Sequence, residues 1–268
     1  MPVVAVNGIQ LHYEDEGTGE PVVLVQGTGG GRTVWHLHQV PALTEAGFRV
    51  ITFDNRGIPP TSECPGGFTL RDMVGDTAGL IEHLGLGPCR VVGTSLGAFV
   101  TQELALARPD LVDRAVLMAT RARTDTLRSA LTRAEIELHD SGTQVPPRYA
   151  AVLRALKSLS PRTLDDDAAM ADWLDLFELA GPAGPGQRVQ MELSKLNDRL
   201  DAYRGIRVPV QVIAFADDLI TPPHLGREVA DAIPGALYEL IEDCGHYGYL
   251  EDPATVNKAL VQFLTAGI

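Results

Sequence analysis

Cysteine is scarce in this chain, and what there is has no pairing pattern. Cys64, Cys89 and Cys244 are the three among 268 residues. An odd count without C-x-x-C spacing argues against a disulfide framework and against a cysteine zinc site. Positive charge is scarce too, with 22 basic residues against 35 acidic and a net charge of −13. That balance argues against nucleic acid and anionic membrane as partners and predicts a solvated acidic surface. No apolar run approaches the ~20 residues that span a bilayer. Residues 1–7 lack a basic region followed by an apolar core, so no signal peptide is expected and the expected location is cytoplasmic. A glycine-rich stretch is present, but it has no Gly-Lys-Ser/Thr ending and no Gly-x-Gly-x-x-Gly with an acidic partner downstream. Nucleotide binding is therefore not the reading, and no cofactor is expected.

What is there fits a globular enzyme. The apolar fraction of 45% and charged fraction of 21% are ordinary. A chain this long buries roughly 70–75% of its unfolded surface, enough to fold without a staple. It accommodates one large α/β domain or a domain with an insertion.

The order of elements can be read from pattern. Asn7-Gly8 signals a two-residue hairpin between strands at 3–6 and 9–13. Residues 21–25 are continuously apolar, as in a strand buried on both faces. A helix over 35–43 and a strand over 48–53 follow. Asp54 and Arg56 come next and read as structural, pinning their loop through backbone hydrogen bonds and an ion pair. Thr69 caps a helix over 68–84, with Asp72 three residues on as its capping-box partner. Strands at 89–92 and 114–118 flank a helix over 96–107. Two opening strands followed by strand–helix repeats predict a mainly parallel, doubly wound sheet.

The rhythm then breaks. Between 121 and 204 no strand is evident, and 126–141, 147–159, 165–179 and 187–203 read as helices. Gly142, Pro146-Pro147, Ser160-Pro161 and a linker over 181–186 interrupt them. Asp165-Asp166-Asp167 reads as a helix N-terminus favoured by the macrodipole, and no metal site is expected. Residues 121–204 are expected to be a helical cap inserted into a core made of 1–120 and 205–268. Strand and helix alternate again from 208, with strands at 208–215 and 237–241, a helix from 222 to 233 and a closing helix over 255–264.

Three reactive side chains fall just past predicted strand ends. Gly93-Thr94-Ser95-Leu96-Gly97 is a Gly-x-Ser-x-Gly turn between a strand and a helix. Such a turn exposes the serine hydroxyl and aims the next backbone N–H, that of Leu96, at the same spot. Asp217-Asp218 follows the strand at 208–215, and His246 follows the strand at 237–241. In a parallel sheet these ends share one edge. Ser95 is the candidate nucleophile, His246 the candidate base, and one of the two aspartates its orienting acid. Gln26-Gly27-Thr28-Gly29-Gly30-Gly31 reads as an oxyanion loop with the Thr28 N–H as donor. Cys244 lacks an elbow and reads as packing. His36 and His38 form H-x-H with no further ligands in view.

These motifs together resemble the α/β-hydrolase superfamily, over essentially the whole chain. The resemblance rests on the elbow at Ser95, Asp54-Asn55-Arg56-Gly57, Asp218-Leu219-Ile220-Thr221-Pro222, and Gly245-His246 followed by Glu251-Asp252-Pro253. It implies an eight-stranded sheet with a helical cap. It also implies a Ser95–Asp218–His246 triad, since the family spacing to Pro222 favours Asp218 over Asp217. One departure stands out, because many members carry His-Gly where this chain has Gln26-Gly27.

A mainly apolar pocket is expected, lined by Gln26, Trp35, Leu96, Met118, Ile220 and Tyr247 from the core and by Tyr149, Trp173, Phe177 and Met191 from the cap. Such a pocket suits a medium-sized hydrophobic ester, thioester or lactone. The alternative is a biosynthetic enzyme in which His246 and Asp218 remove a carbon-bound proton, for elimination of an acyloxy group, cyclisation or carbon–carbon cleavage. A third reading is a non-catalytic ligand receptor.

Overall fold

In the computed structural model, which describes residues 2–179 and 183–266, eight strands form one twisted sheet. In chain order they are β1 (Val3–Val6), β2 (Ile9–Gly17), β3 (Pro21–Val25), β4 (Arg49–Phe53), β5 (Cys89–Thr94), β6 (Val112–Met118), β7 (Val210–Phe215) and β8 (Leu237–Ile241). Their spatial order is β1-β2-β4-β3-β5-β6-β7-β8. β1 and β2 form the Asn7-Gly8 hairpin, with Val6 opposite Ile9. β2 also runs antiparallel to β4, and every later pairing is parallel. The central strands β5 and β7 are buried at every position, as double-sided coverage by helices demands.

The covering helices are α1 (Gln39–Glu45), α2 (Leu70–His83), α3 (Leu96–Ala107), α10 (Pro223–Ala232), α11 (Gly248–Glu251) and α12 (Pro253–Thr265). Thr69 and Asp72 close a capping box at the start of α2. One apolar cluster packs α2, α3 and α10 against β3, β5, β6 and β7, and a second packs α1 and α12 on the other face. The predicted 35–43 helix is instead a 3-10 turn, Arg32–Leu37, followed by α1, with His38 at the break.

Between β6 and β7 the described elements are all helices: α4 (Thr126–Asp140), α5 (Pro147–Ser158), α6 (Pro161–Leu164), α7 (Asp167–Leu179), α8 (Pro185–Leu193) and α9 (Leu200–Tyr203). Asp166 caps α7 by accepting from the Ala168 and Ala169 amides, so the aspartate run is a helix start. Two boundaries differ from pattern. Gly181 and Pro182 of the expected linker lie outside the described residues, and α8 already begins at Pro185, whose fixed φ suits a first helical position. The expected 187–203 helix ends at Leu193. Residues 194–199 pair with 122–124 instead, through Leu196 N–H to Thr124 Oγ1, Thr124 N–H to Leu196 O and Arg199 N–H to Ala122 O. Those long-range bonds satisfy backbone groups that a helix would have satisfied locally.

The loop after β4 is held as its residue types suggest. Asp54 pairs with Arg32 and accepts the Arg32 N–H. Arg56 is bidentate to the buried Asp76, at 2.8 and 2.6 Å.

Candidate active site

Ser95 sits where β5 stops and α3 begins, with φ 53° and ψ −120°. A non-glycine residue rarely adopts that backbone. The surroundings impose it. A Cβ on Gly97 would lie 2.1 Å from the Val25 carbonyl oxygen, and one on Gly93 would lie 2.3 Å from the Gly97 oxygen. Only glycine at both flanks lets strand and helix approach closely enough to force the sharp turn between them.

A continuous hydrogen-bonded chain runs from this serine. Ser95 Oγ lies 3.1 Å from His246 Nε2, and His246 Nδ1 lies 2.8 Å from Asp218 Oδ2. The second distance answers which aspartate faces the histidine. Asp218 is 2% exposed, while Asp217 is half-buried and turns its main chain to the Cys244 carbonyl. The Asp218 carboxylate accepts from the Ile220 and Thr221 amides, 2.8 Å each, and from the Thr221 hydroxyl at 2.6 Å. Burial alone raises a carboxyl's pKa. Here the charge and hydrogen bond of His246 and the Thr221 donors outweigh it, and Asp218 stays below the usual carboxylate range. Behind His246, Glu251 accepts the Gly245 N–H at 2.6 Å and the Ser160 N–H at 2.8 Å, tying its loop to the α5–α6 junction.

The glycine loop lies against Ser95. A Cβ on Gly27 would sit 3.1 Å from Ser95 Cβ. This places Thr28 beside the nucleophile, where it lines the same cavity. Leu96 is the first residue of α3, so its N–H has no acceptor within the helix. Gln26, at the position of the family's frequent histidine, folds back and accepts the Gly27 N–H at 2.7 Å. Its Nε2 is buried without a hydrogen-bond partner among the described residues. Asn55 donates to the Gln26 carbonyl at 2.7 Å.

A residue that pattern did not single out braces this loop. Gln190 on α8 is fully buried, accepts the Gly29 N–H at 2.9 Å and donates to the Arg56 carbonyl at 2.8 Å. One side chain thus bridges the loops after β3 and β4. An amide among the apolar positions of a short helix is a faint signal at best.

A cavity of about 440 Å³ opens beside Ser95 and His246. Gln26, Ile220 and Tyr247 line it from the core, and Trp173, Phe177 and Met191 from the helical segment, as expected. Trp173, Phe177 and Tyr247 form an aromatic cluster with centroids 5.2 to 6.0 Å apart, and Tyr247 meets the His246 ring at 5.9 Å. Four expected wall residues are elsewhere, and one of them, Leu96, is fully buried in the first apolar cluster. Trp35 is buried in the core against Tyr249, with centroids 5.1 Å apart. Met118 is fully buried within β6 and faces the second apolar cluster. Tyr149, near the start of α5, is 58% exposed to solvent. The wall is also less apolar than expected, since Arg121, Arg128, Glu135, Arg154 and Lys157 line it. Cys244 is buried and its thiol is pushed up to about 12, in keeping with a packing role. His36 lies between Glu14 and Glu16, whose ligand atoms cluster within 4.8 Å, but Glu14 already pairs with Arg32. Among the described residues no helix is long and apolar enough to cross a membrane.

The model of the alpha/beta hydrolase fold family matches residues 20–253. A Mycobacterium tuberculosis protein with the provisional name non-heme bromoperoxidase BpoC is 52% identical over 259 residues, covering 96% of this chain and 98% of its own. Its crystal structure superposes with a TM-score of 0.92 over 96% of both chains. A Caulobacter vibrioides protein provisionally named carbamate hydrolase RutD is 30% identical over 281 residues, covering 98% of each. The enol-lactonase of Burkholderia xenovorans superposes with a TM-score of 0.81 at 29% identity, over 98% of this chain and all of that one.

Proposed function

The chain belongs to the α/β-hydrolase fold family, and from that premise we propose that it is a cofactor-independent serine hydrolase of medium-sized hydrophobic esters, thioesters or lactones. The observation that carries this reading is the Ser95–His246–Asp218 chain on the elbow. Ser95 Oγ attacks the carbonyl carbon while its proton passes to His246 Nε2. Asp218 holds the imidazole with Nδ1–H toward itself and stabilises the imidazolium that forms. The Thr28 and Leu96 N–H groups receive the oxyanion, Leu96 with the added field of the α3 N-terminus. His246 then protonates the leaving oxygen or sulfur, and water, activated by the same imidazole, releases the acid. The aromatic cluster of Trp173, Phe177 and Tyr247 takes the hydrophobic part of a medium-sized substrate.

The name of the 52% identical relative favours a second reading on the same site. Hydrogen peroxide in place of water converts the acyl-serine to a peracid and free Ser95. The peracid then oxidises bromide to hypobromite and returns to the acid. Both readings require Ser95 to carry the acyl group.

A single kinetic series tests this. Replacing Ser95→Ala or His246→Ala lowers p-nitrophenyl ester turnover by about a thousandfold or more, with the fold retained. Peroxide and bromide added to the same assay brominate an indicator dye only if the second reading holds. Should Ser95→Ala keep most activity toward a native substrate while His246→Ala loses it, proton abstraction replaces nucleophilic attack as the reading.

A further inference from the structure

Two guanidinium groups in the cavity wall lie against aromatic rings and form no ion pair with a carboxylate among the described residues. Arg121, three residues past β6, is 3% exposed. Its two terminal nitrogens donate to the carbonyls of Ile220 at 2.9 Å and Ser194 at 2.8 Å, and its Nε has no hydrogen-bond partner among the described residues. Its guanidinium lies 5.6 Å from the Phe99 ring centroid. Arg154 on α5 lies 5.5 Å from the Phe177 centroid and has no carboxylate partner among the described residues. The other wall charges are matched. Lys157 pairs with Glu135, and Arg128 with Asp125 at 3.1 Å.

This arrangement runs against the composition. A chain of net charge −13 would be expected to place acids near any exposed cation. Here the charged side chains lining the cavity are four cations and one carboxylate. A buried charge without a counter-ion is expensive, and ordinary packing does not retain one without a reason. Burial lowers the Arg121 pKa to about 10, and Asp125 and Asp218 oppose this only through space. A cleft lined by one sign of charge concentrates ligands of the other.

We propose that the substrate bears a carboxylate besides its scissile acyl bond, and that Arg121 and Arg154 form its anion subsite. This deepens the hydrolase reading and rests on it for the scissile bond. We take the anion to be a carboxylate, since two of the five Arg121 N–H donors are committed to carbonyls and the three that remain suffice for its two oxygens. Arg121 orients the charged end, and the aromatic cluster receives the carbon chain.

The test is binding to Ser95→Ala protein, so that it does not depend on turnover. Tryptophan fluorescence, with Trp173 in the wall, reads titrations with monomethyl adipate, methyl hexanoate and butyl phosphate. The half-ester is expected to bind at least about tenfold tighter than the neutral ester, the size of one charge-assisted hydrogen bond. Added Arg121→Gln or Arg154→Gln is expected to cut that preference by about threefold or more. If buried Arg121→Gln does not fold, half-exposed Arg154→Gln decides alone. Equal binding of the two esters, or a preference that survives both substitutions, overturns the subsite. Butyl phosphate binding more tightly than the half-ester overturns the carboxylate assignment. Loss of hydrolysis in the wild type with the preference intact counts against the hydrolase reading and not against the subsite.

Discussion

At the scale of single residues, Asp218 is the clearest case of environment setting chemistry. Two amides and a hydroxyl converge on a carboxylate that solvent does not reach. Its hydrogen-bonded partner His246 must become charged during the reaction. Asp218→Asn is expected to leave the geometry nearly intact and lower turnover by about ten-thousandfold, because the amide favours the wrong imidazole tautomer. The sign of the pH effect follows from the depressed pKa. A carboxyl held below its unfolded value stabilises the fold above that value, and loses the contribution as pH falls through the folded one. Denaturant unfolding of wild type and Asp218→Asn checks this. The stability gap should not narrow until pH falls below about 4. The reactive residues were legible because each follows a strand end, and topology alone brings strand ends together. Which of Asp217 and Asp218 faces His246 was not legible from strand position. The spacing to Pro222 favoured Asp218, and the 2.8 Å contact agrees.

At the scale of elements, α8 does more than cover the site. Its Gln190 fastens the glycine loop through Gly29 and the neighbouring loop through Arg56. At its N-terminal end, Gly186 packs so closely on Gly57 that a Cβ would lie 2.2 Å from the Gly57 carbonyl oxygen. Gln190→Ala strands the half-buried Gly29 N–H and the buried Arg56 carbonyl and is expected to destabilise the protein by about 1–3 kcal/mol. Because one of them belongs to the loop that carries Thr28, kcat should fall by roughly tenfold while KM changes less. Thermal melting and steady-state kinetics on one preparation check both. Strands, hairpin, capping box and most helices were visible as periodicity and turn chemistry, which are local. The end of α8 at Leu193 was not, because residues 194–199 find partners some seventy positions away. The wall residues Trp35, Leu96, Met118 and Tyr149 were misplaced for a related reason. Pattern says that a side chain is apolar, but packing decides whether it faces a cavity, a core or water.

At the scale of the whole molecule, the sheet gathers Ser95, Asp218 and His246 at one edge, and helices α4, α5, α7 and α8 line a cavity there with a charge opposite to that of the protein. The composition concealed this contrast, since an average over 268 residues says nothing about where its 22 basic side chains lie. The acidic exterior and cationic cavity also frame the central claim, that a carbonyl compound drawn into the cavity is transferred to Ser95. Intact-protein mass spectrometry after brief exposure to a fluorophosphonate, followed by peptide mapping, tests that claim most directly. A single adduct on the peptide bearing Ser95, absent in Ser95→Ala and formed far more slowly in His246→Ala, is the predicted result. An unmodified Ser95 in folded protein, or an adduct on another residue that accounts for the loss of activity, would contradict it.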